Sequence, residues 1–208
     1  MPRVCPFRAR PKGKPCALFE HEYEKSVSDA TWKKIHDEAM ECLRNFYHSD
    51  LYQELLDDKK ENWLLIEDLE EFNLDGVKIF VKLDFARKKD GVAEIYDWKT
   101  GKSDKEASVQ IGAYAMYAMQ KWKIPLEKIR AYLFNLSNDM PSPEPQNLSA
   151  ALLDETRALI ARSAGEMKGL LLDPERNIPK PAENFPYTED ERRCSFCNFY
   201  KICGKYAT

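Results

Sequence analysis

Two neighbouring apolar stretches carry residues with complementary chemistry. VKIFVKLDFARK holds a lone acid, Asp84, and AEIYDWKTGK holds Asp97 and Lys99 two residues apart. Side chains two apart on a strand share a face, so Asp97 and Lys99 project together. The intervening KKDG predicts a tight hairpin turn, which would bring Asp84 beside them. Two carboxylates and an ammonium can bind a hard divalent cation and activate water next to it. That is the chemistry of metal-dependent phosphodiester hydrolysis. An acid-x-Lys pair alone is common and usually solvated, so the significance lies in the context: a matching upstream acid and a helix just downstream.

That helix is predicted over 107–122, ASVQIGAYAMYAMQKW, which is apolar almost all round and reads as buried. It places Gln110 and Tyr114 four apart on one face. Ser28 is placed to cap an earlier helix, in which Trp32, Ile35, Ala39, Leu43, Phe46 and Tyr47 recur at helical spacing and predict its buried face. SDLYQELLDD predicts a shorter helix, and WLLIEDLEEFNLDG a strand, an acidic break and a second strand segment. In VKIFVKLDFARK, Ile79, Val81, Leu83 and Phe85 alternate to one side of a single strand, with Phe80, Lys82 and Asp84 on the other. IRAYLFNL predicts a further strand and NDMPSPEPQ a surface loop. LSAALLDETRALIARSAGEMKGLLLD predicts a long amphipathic helix ending around Pro174, followed by an extended tail. The order helix, three-strand meander, helix, strand, helix predicts an α/β domain with a mixed sheet flanked by helices.

The chain has 208 residues, 43% hydrophobic and 32% charged, which fits one globular domain spanning 1–208. Its core would lie at about 60–140, with the last helix and a cysteine cluster over 148–208. No apolar run is long enough to span a membrane, and MPRVCPFRARPKGK lacks the apolar centre of a signal peptide, so a cytoplasmic location is expected. The net charge of −3 means that contact with nucleic acid would need a local basic patch. Lys33, Lys34, Lys88, Lys89, Lys102 and Lys105 are candidates, although most such lysines are ordinary solvated surface.

Cysteine placement is uneven. Cys5 and Cys16 lie near the start, Cys42 on an apolar helix face as a core thiol, and Cys194, Cys197 and Cys203 form C-x2-C-x5-C. A reducing compartment argues against a disulfide scaffold, so three thiols this close suggest a bound metal or cluster. Structural zinc, completed by His21 or another thiol, is the rival reading to an iron–sulfur cluster.

LDF…IYDWKTGK…QIGAY, followed by the cysteine triplet, resembles the PD-(D/E)XK nuclease superfamily, in particular its RecB-like branch, which includes recombination helicase–nuclease domains and CRISPR adaptation nucleases. The resemblance implies a restriction-endonuclease-like core with a metal- or cluster-stapled C-terminal tail. It places the family's metal-binding acids on Asp84 and Asp97, with the Trp98 carbonyl as a further oxygen ligand for Mg2+ or Mn2+. It places the catalytic lysine on Lys99 and the Gln-x-x-x-Tyr motif on Gln110 and Tyr114. A first-helix metal-binding histidine would fall on His36, against an equal prospect that His36 is a plain surface residue; Trp32 departs from the small residue usual four positions before it. His21 and His48 are weaker candidates. A 4Fe–4S cluster would use Cys194, Cys197 and Cys203 with Cys16 or, alternatively, Cys5, and would pin the chain ends together. The implied activity is cleavage of DNA, single-stranded or at ends. The chain has no GxxxxGK[ST] helicase motif, so unwinding would need a helicase or other protein partner. The alternative is a nuclease-fold module, weak in catalysis, that binds nucleic acid or a partner.

Overall fold

A computed structural model of the protein describes residues 26–101, 107–138 and 141–203. The chain divides into two compact units: 37–169, and the described parts of 1–36 with 170–208.

In the 37–169 unit, β1 (Trp63–Ile66), β4 (Phe85–Lys89), β5 (Val92–Lys99), β6 (Ile129–Asn135) and β7 (Glu144–Pro145) form one sheet in the order β1-β4-β5-β6-β7. β5 and β6 run parallel, and the other neighbours are antiparallel. A parallel pair needs a crossover, which α3 (Ala107–Lys121) supplies. The fold is therefore α/β with a mixed central sheet flanked by helices, as expected, and of the restriction-endonuclease-like class.

Alternation along β5 sorts the two faces. Ile95 joins Ala86, Ala131 and Leu133 beneath Ile111, Tyr114 and Ala118 of α3. Tyr96 and Trp98 point the opposite way, into an aromatic layer with Phe85, Tyr132 and Phe134. Cys42 and Phe46 of α1 (Asp29–Tyr47) and Leu51 of α2 (Asp50–Asp57) cover that layer. Ser49 caps α2 by accepting the Tyr52 N–H at 3.2 Å. Ser28 likewise accepts the Thr31 N–H at the start of α1, and Cys42 is buried, both as expected.

Several expectations are corrected. The strands upstream of the turn do not make a meander: β2 (Leu69–Leu74) and β3 (Val77–Lys82) form a separate hairpin, and β1 skips it to pair with β4. VKIFVKLDFARK is not one strand. Val81 and Leu83 pack toward α3, whereas Phe85 packs toward α1, because the ladder breaks at Leu83–Asp84 and alternation changes phase there. The α1 stripe expected to be buried is mostly exposed at Trp32, Ile35, Leu43 and Tyr47. Only Cys42 and Phe46 pack inward as expected, and Asn45 between them in sequence ties the helix to the sheet by donating to the Leu136 carbonyl at 2.8 Å. NDMPSPEPQ contains the short β7. The last long helix, α4 (Ala150–Gly169), stops earlier than expected. Beyond it β8 (Leu171–Asp173) pairs with β9 (Ile178–Pro179), across a turn in which Asp173 accepts the Glu175 and Arg176 N–H groups at 3.1 Å each. Pro174 cannot continue a helix, and the Asp173 carboxylate favours the turn. The tail is not wholly extended, since α5 (Glu191–Cys194) forms a short helix capped by Asp190.

Candidate active site

The carboxyl end of β5 lies between β4 and β6, where the sheet's direction changes. Here the structure brings together five of the residues singled out in the sequence. Asp97 is 1% exposed, facing the α3 side. Its Oδ2 lies 2.6 Å from Lys99 Nζ, yet that oxygen is buried with no well-directed hydrogen bond. Lys99 Nζ also donates to Gln110 Oε1 at 3.1 Å. Gln110 Nε2 donates to the Tyr114 hydroxyl at 2.6 Å, which in turn donates to the Lys82 carbonyl at 2.8 Å. One chain of contacts therefore runs from a buried carboxylate through the lysine to α3 and back to the end of β3. The i,i+4 spacing of Gln110 and Tyr114 places both on the face of α3 that reaches the lysine.

Asp84 enters from the break between β3 and β4. Its Oδ2 accepts the Trp98 N–H at 2.7 Å, a position where a regular ladder would supply a backbone carbonyl. The break is fixed from outside by Glu67, at φ 53°, whose N–H is shared between the Leu83 and Asp84 carbonyls at 3.1 Å each. Burial pushes the Asp84 carboxyl above the usual carboxylate range; the Trp98 hydrogen bond opposes the shift, and the charges of Asp97 and Glu67 add to it. The Tyr114 hydroxyl is also pushed up, first by burial and then by the charge of Asp97. The Trp98 side chain stands in the aromatic layer on the far face, so only its main chain borders the site.

Asn135, Glu67 and Asn45 support the site and were not apparent in the sequence. Asn135 donates to the Gly101 carbonyl at 2.8 Å, and the Leu136 N–H donates to the Lys99 carbonyl at 2.7 Å, fixing the chain that leaves β5. The parallel β5–β6 register that sets Lys99 opposite Asn135 could have signalled this, but register is not written in β5 alone. Glu67 lay in the run read only as an acidic break.

Lys88 and Lys89 are at the turn end of β4, away from Asp84, and Lys89 pairs with Glu54. His36 is exposed on α1, within the terminal unit, and His48 is exposed with its ring edge-on to Tyr47. Lys33 and Lys34 are exposed on α1. Cys194, Cys197 and Cys203 are half-buried thiols outside any disulfide, and Cys197 Sγ accepts the Phe199 N–H at 3.4 Å. Cys5, Cys16, His21, Lys102 and Lys105 fall outside the described residues. Among the described residues, no three His, Cys, Asp or Glu side chains are gathered to hold a metal ion, and no helix is long and apolar enough to cross a membrane.

The PD-(D/E)XK nuclease superfamily model matches residues 16–204. The chain belongs to this superfamily. Among solved structures, the chain is similar to a candidate exonuclease from Eubacterium rectale, at 13% identity with a TM-score of 0.46, covering 83% of this chain and 69% of that one. It is also similar to the protein SSO0001, at 19% identity with a TM-score of 0.40, covering 91% of this chain and 80% of that one. No curated protein matches the sequence. Membership of the superfamily supports a nuclease fold that contacts nucleic acid.

Proposed function

We propose that the protein is a metal-dependent deoxyribonuclease of the RecB-like branch, acting on single-stranded DNA or DNA ends. The reading rests on one observation: a buried carboxylate and a lysine in contact on β5, with Asp84 delivered to the same strand end. The donor set fits Mg2+ or Mn2+, the ions that nucleases of this superfamily generally use. Asp97 offers a buried carboxylate oxygen held by the Lys99 ammonium without a well-directed hydrogen bond, and Asp84 is a desolvated carboxylate that a cation would relieve. Asp84, Asp97 and the Trp98 carbonyl would hold the ion, with water and substrate oxygens completing its shell. When bound there, it supplies Lewis acidity and a more acidic water.

The chain's own residues do the rest. Asp97 and Gln110 fix the Lys99 ammonium between them, and Tyr114 fixes Gln110 against the main chain of Lys82. An ammonium held this way can orient an attacking water and stabilise charge growing on a phosphate oxygen, with no reorganisation at the moment of reaction. Lys99 therefore acts on the reacting atoms, and Gln110 and Tyr114 position it. The C-x2-C-x5-C thiols are proposed as a 4Fe–4S staple with Cys16 or Cys5, and structural zinc is the other possibility. This part rests on the C-x2-C-x5-C spacing of the three thiols.

The test is cleavage of end-labelled single-stranded and duplex DNA with Mg2+ or Mn2+, by wild type and Lys99→Ala. Metal-dependent cutting, reduced by about two orders of magnitude or more in the variant, is expected. Folded wild type that cuts neither substrate would favour the second reading, a binding module on the nuclease fold.

A further inference from the structure

The β2–β3 hairpin presents an unusual outer face. Its inner face packs Phe72, Leu74, Ile79 and Val81 toward α3. Its outer face leaves two large apolar side chains in solvent, Leu69 at 69% and Phe80 at 61% exposure. The register sets Leu69 opposite Lys82 and Glu71 opposite Phe80, so Leu69 and Phe80 are diagonal neighbours on one surface. Lysines flank them: Lys78 Nζ is 5.8 Å from the Phe80 ring centroid, and Lys82 is on the other side. The lysines are paired with carboxylates, Lys78 with Glu71 at 3.2 Å and Lys82 with Glu67 at 2.6 Å. All four partners are solvent-exposed, and exposed pairs of this kind contribute little, so a phosphate could take over either lysine.

The hairpin's second strand leads along the chain into the candidate active site. The Lys82 carbonyl receives the Tyr114 hydroxyl, and Asp84 follows two residues later. Phe80 lies four residues before Asp84 in the chain. An exposed aromatic ring beside cations, in line with a phosphodiester-cleaving centre, suits an unpaired strand. Every base has a face to stack on the ring, and Lys78 and Lys82 beside it can take phosphate oxygens.

Building on the nuclease reading, we infer that the outer face of the β2–β3 hairpin is the platform for single-stranded DNA leading to or from the active site, with Phe80 as the stacking residue and Lys78 and Lys82 as phosphate contacts. The ring confers a preference for unpaired over duplex DNA, because a paired base cannot turn its face to it.

The test separates binding from chemistry. Fluorescence anisotropy of a labelled oligothymidylate in EDTA, with no cleavage, should show Phe80→Ala binding about ten-fold more weakly than wild type. Phe80→Trp should bind normally. Lys78→Gln and Lys82→Gln should each flatten the dependence of log K on log salt by about 0.7. In parallel, wild type with Mn2+ should hydrolyse bis(p-nitrophenyl) phosphate, a substrate too small to reach the hairpin. Wild-type affinity in Phe80→Ala would overturn the inference whatever the activity. Failure of the wild type on the small diester would count against the nuclease reading and not against the platform.

Discussion

Gly112 is the place where a single methyl group should be felt most. It lies on α3 between Gln110 and Tyr114, where α3 meets α4. A Cβ built there would lie 2.2 Å from Thr156 Oγ1, 3.0 Å from its Cβ and 3.2 Å from its Cγ2. Thr156 is 1% exposed and β-branched, so it has little freedom to turn away, and its hydroxyl is buried without a partner. Gly112→Ala must therefore push the helices apart. Overpacking of this kind costs about 1–3 kcal/mol. Against it, alanine gains about 1 kcal/mol over glycine inside a helix. Contact at 2.2 Å with a stiff, buried neighbour places the cost at the upper end, leaving a net loss of about 1–2 kcal/mol. For a chain of this size that is a fall of roughly 2–8 °C in Tm. Urea denaturation of the two single variants and the pair tests it. Thr156→Ala removes the two nearest side-chain atoms other than Cβ and an unsatisfied hydroxyl, so Gly112→Ala/Thr156→Ala should recover most of the loss, with a coupling energy of about 1 kcal/mol or more. Because α3 carries Gln110 to Lys99, Gly112→Ala should also slow DNA cleavage in protein that remains folded. A Gly112→Ala protein as stable as wild type or more so would mean that helix propensity alone decides, and would refute the close-packing argument.

Two further predictions concern charge. Burial raises the Asp84 carboxyl, so the metal-free fold favours its protonated form; that stabilisation is complete below the ordinary carboxylate range and lost as pH rises through the raised folded value. Asp84→Asn keeps an acceptor for the Trp98 N–H without the charge, so at pH 7 the metal-free variant should melt above metal-free wild type, and the gap should close toward pH 3. On the opposite face, Arg87 is 2% exposed and binds Glu94 and Glu54 at 2.8 Å each, with Asp58 at 3.6 Å. Arg87→Ala leaves the mostly buried Glu94 without its cation, while Glu54 keeps Lys89, and should destabilise by about 3 kcal/mol in urea denaturation, whereas Arg87→Met should lose less.

Much of the site was legible because its determinants are local. Period-two alternation placed Asp97 with Lys99 and apart from Trp98, and period-3.6 spacing placed Gln110 with Tyr114. The KKDG turn was also written locally: Asp90 and Gly91 both take positive φ, as a tight hairpin requires. What was not legible depends on partners distant in sequence. The break at Leu83–Asp84 is made by the N–H of Glu67 and the N–H of Trp98, neither of which alters the alternating pattern of VKIFVKLDFARK. The β2–β3 hairpin reads like any strand pair, and only tertiary pairing shows that β1 bypasses it to join β4. On α1 the apolar stripe did not show how much of the helix is covered: Cys42 and Phe46 pack inward, while Leu43 and Tyr47 stay exposed.

The central claim is that Asp84 and Asp97 together hold a divalent cation beside Lys99. Calorimetric titration of Mn2+ at pH 7 into wild type, Asp84→Asn and Asp97→Asn tests it most directly. The account predicts binding to wild type that each substitution weakens ten-fold or more, as expected when one of two charged oxygen ligands is lost. Equal Mn2+ affinity in all three proteins would contradict it and leave the carboxylates as structural groups of the fold.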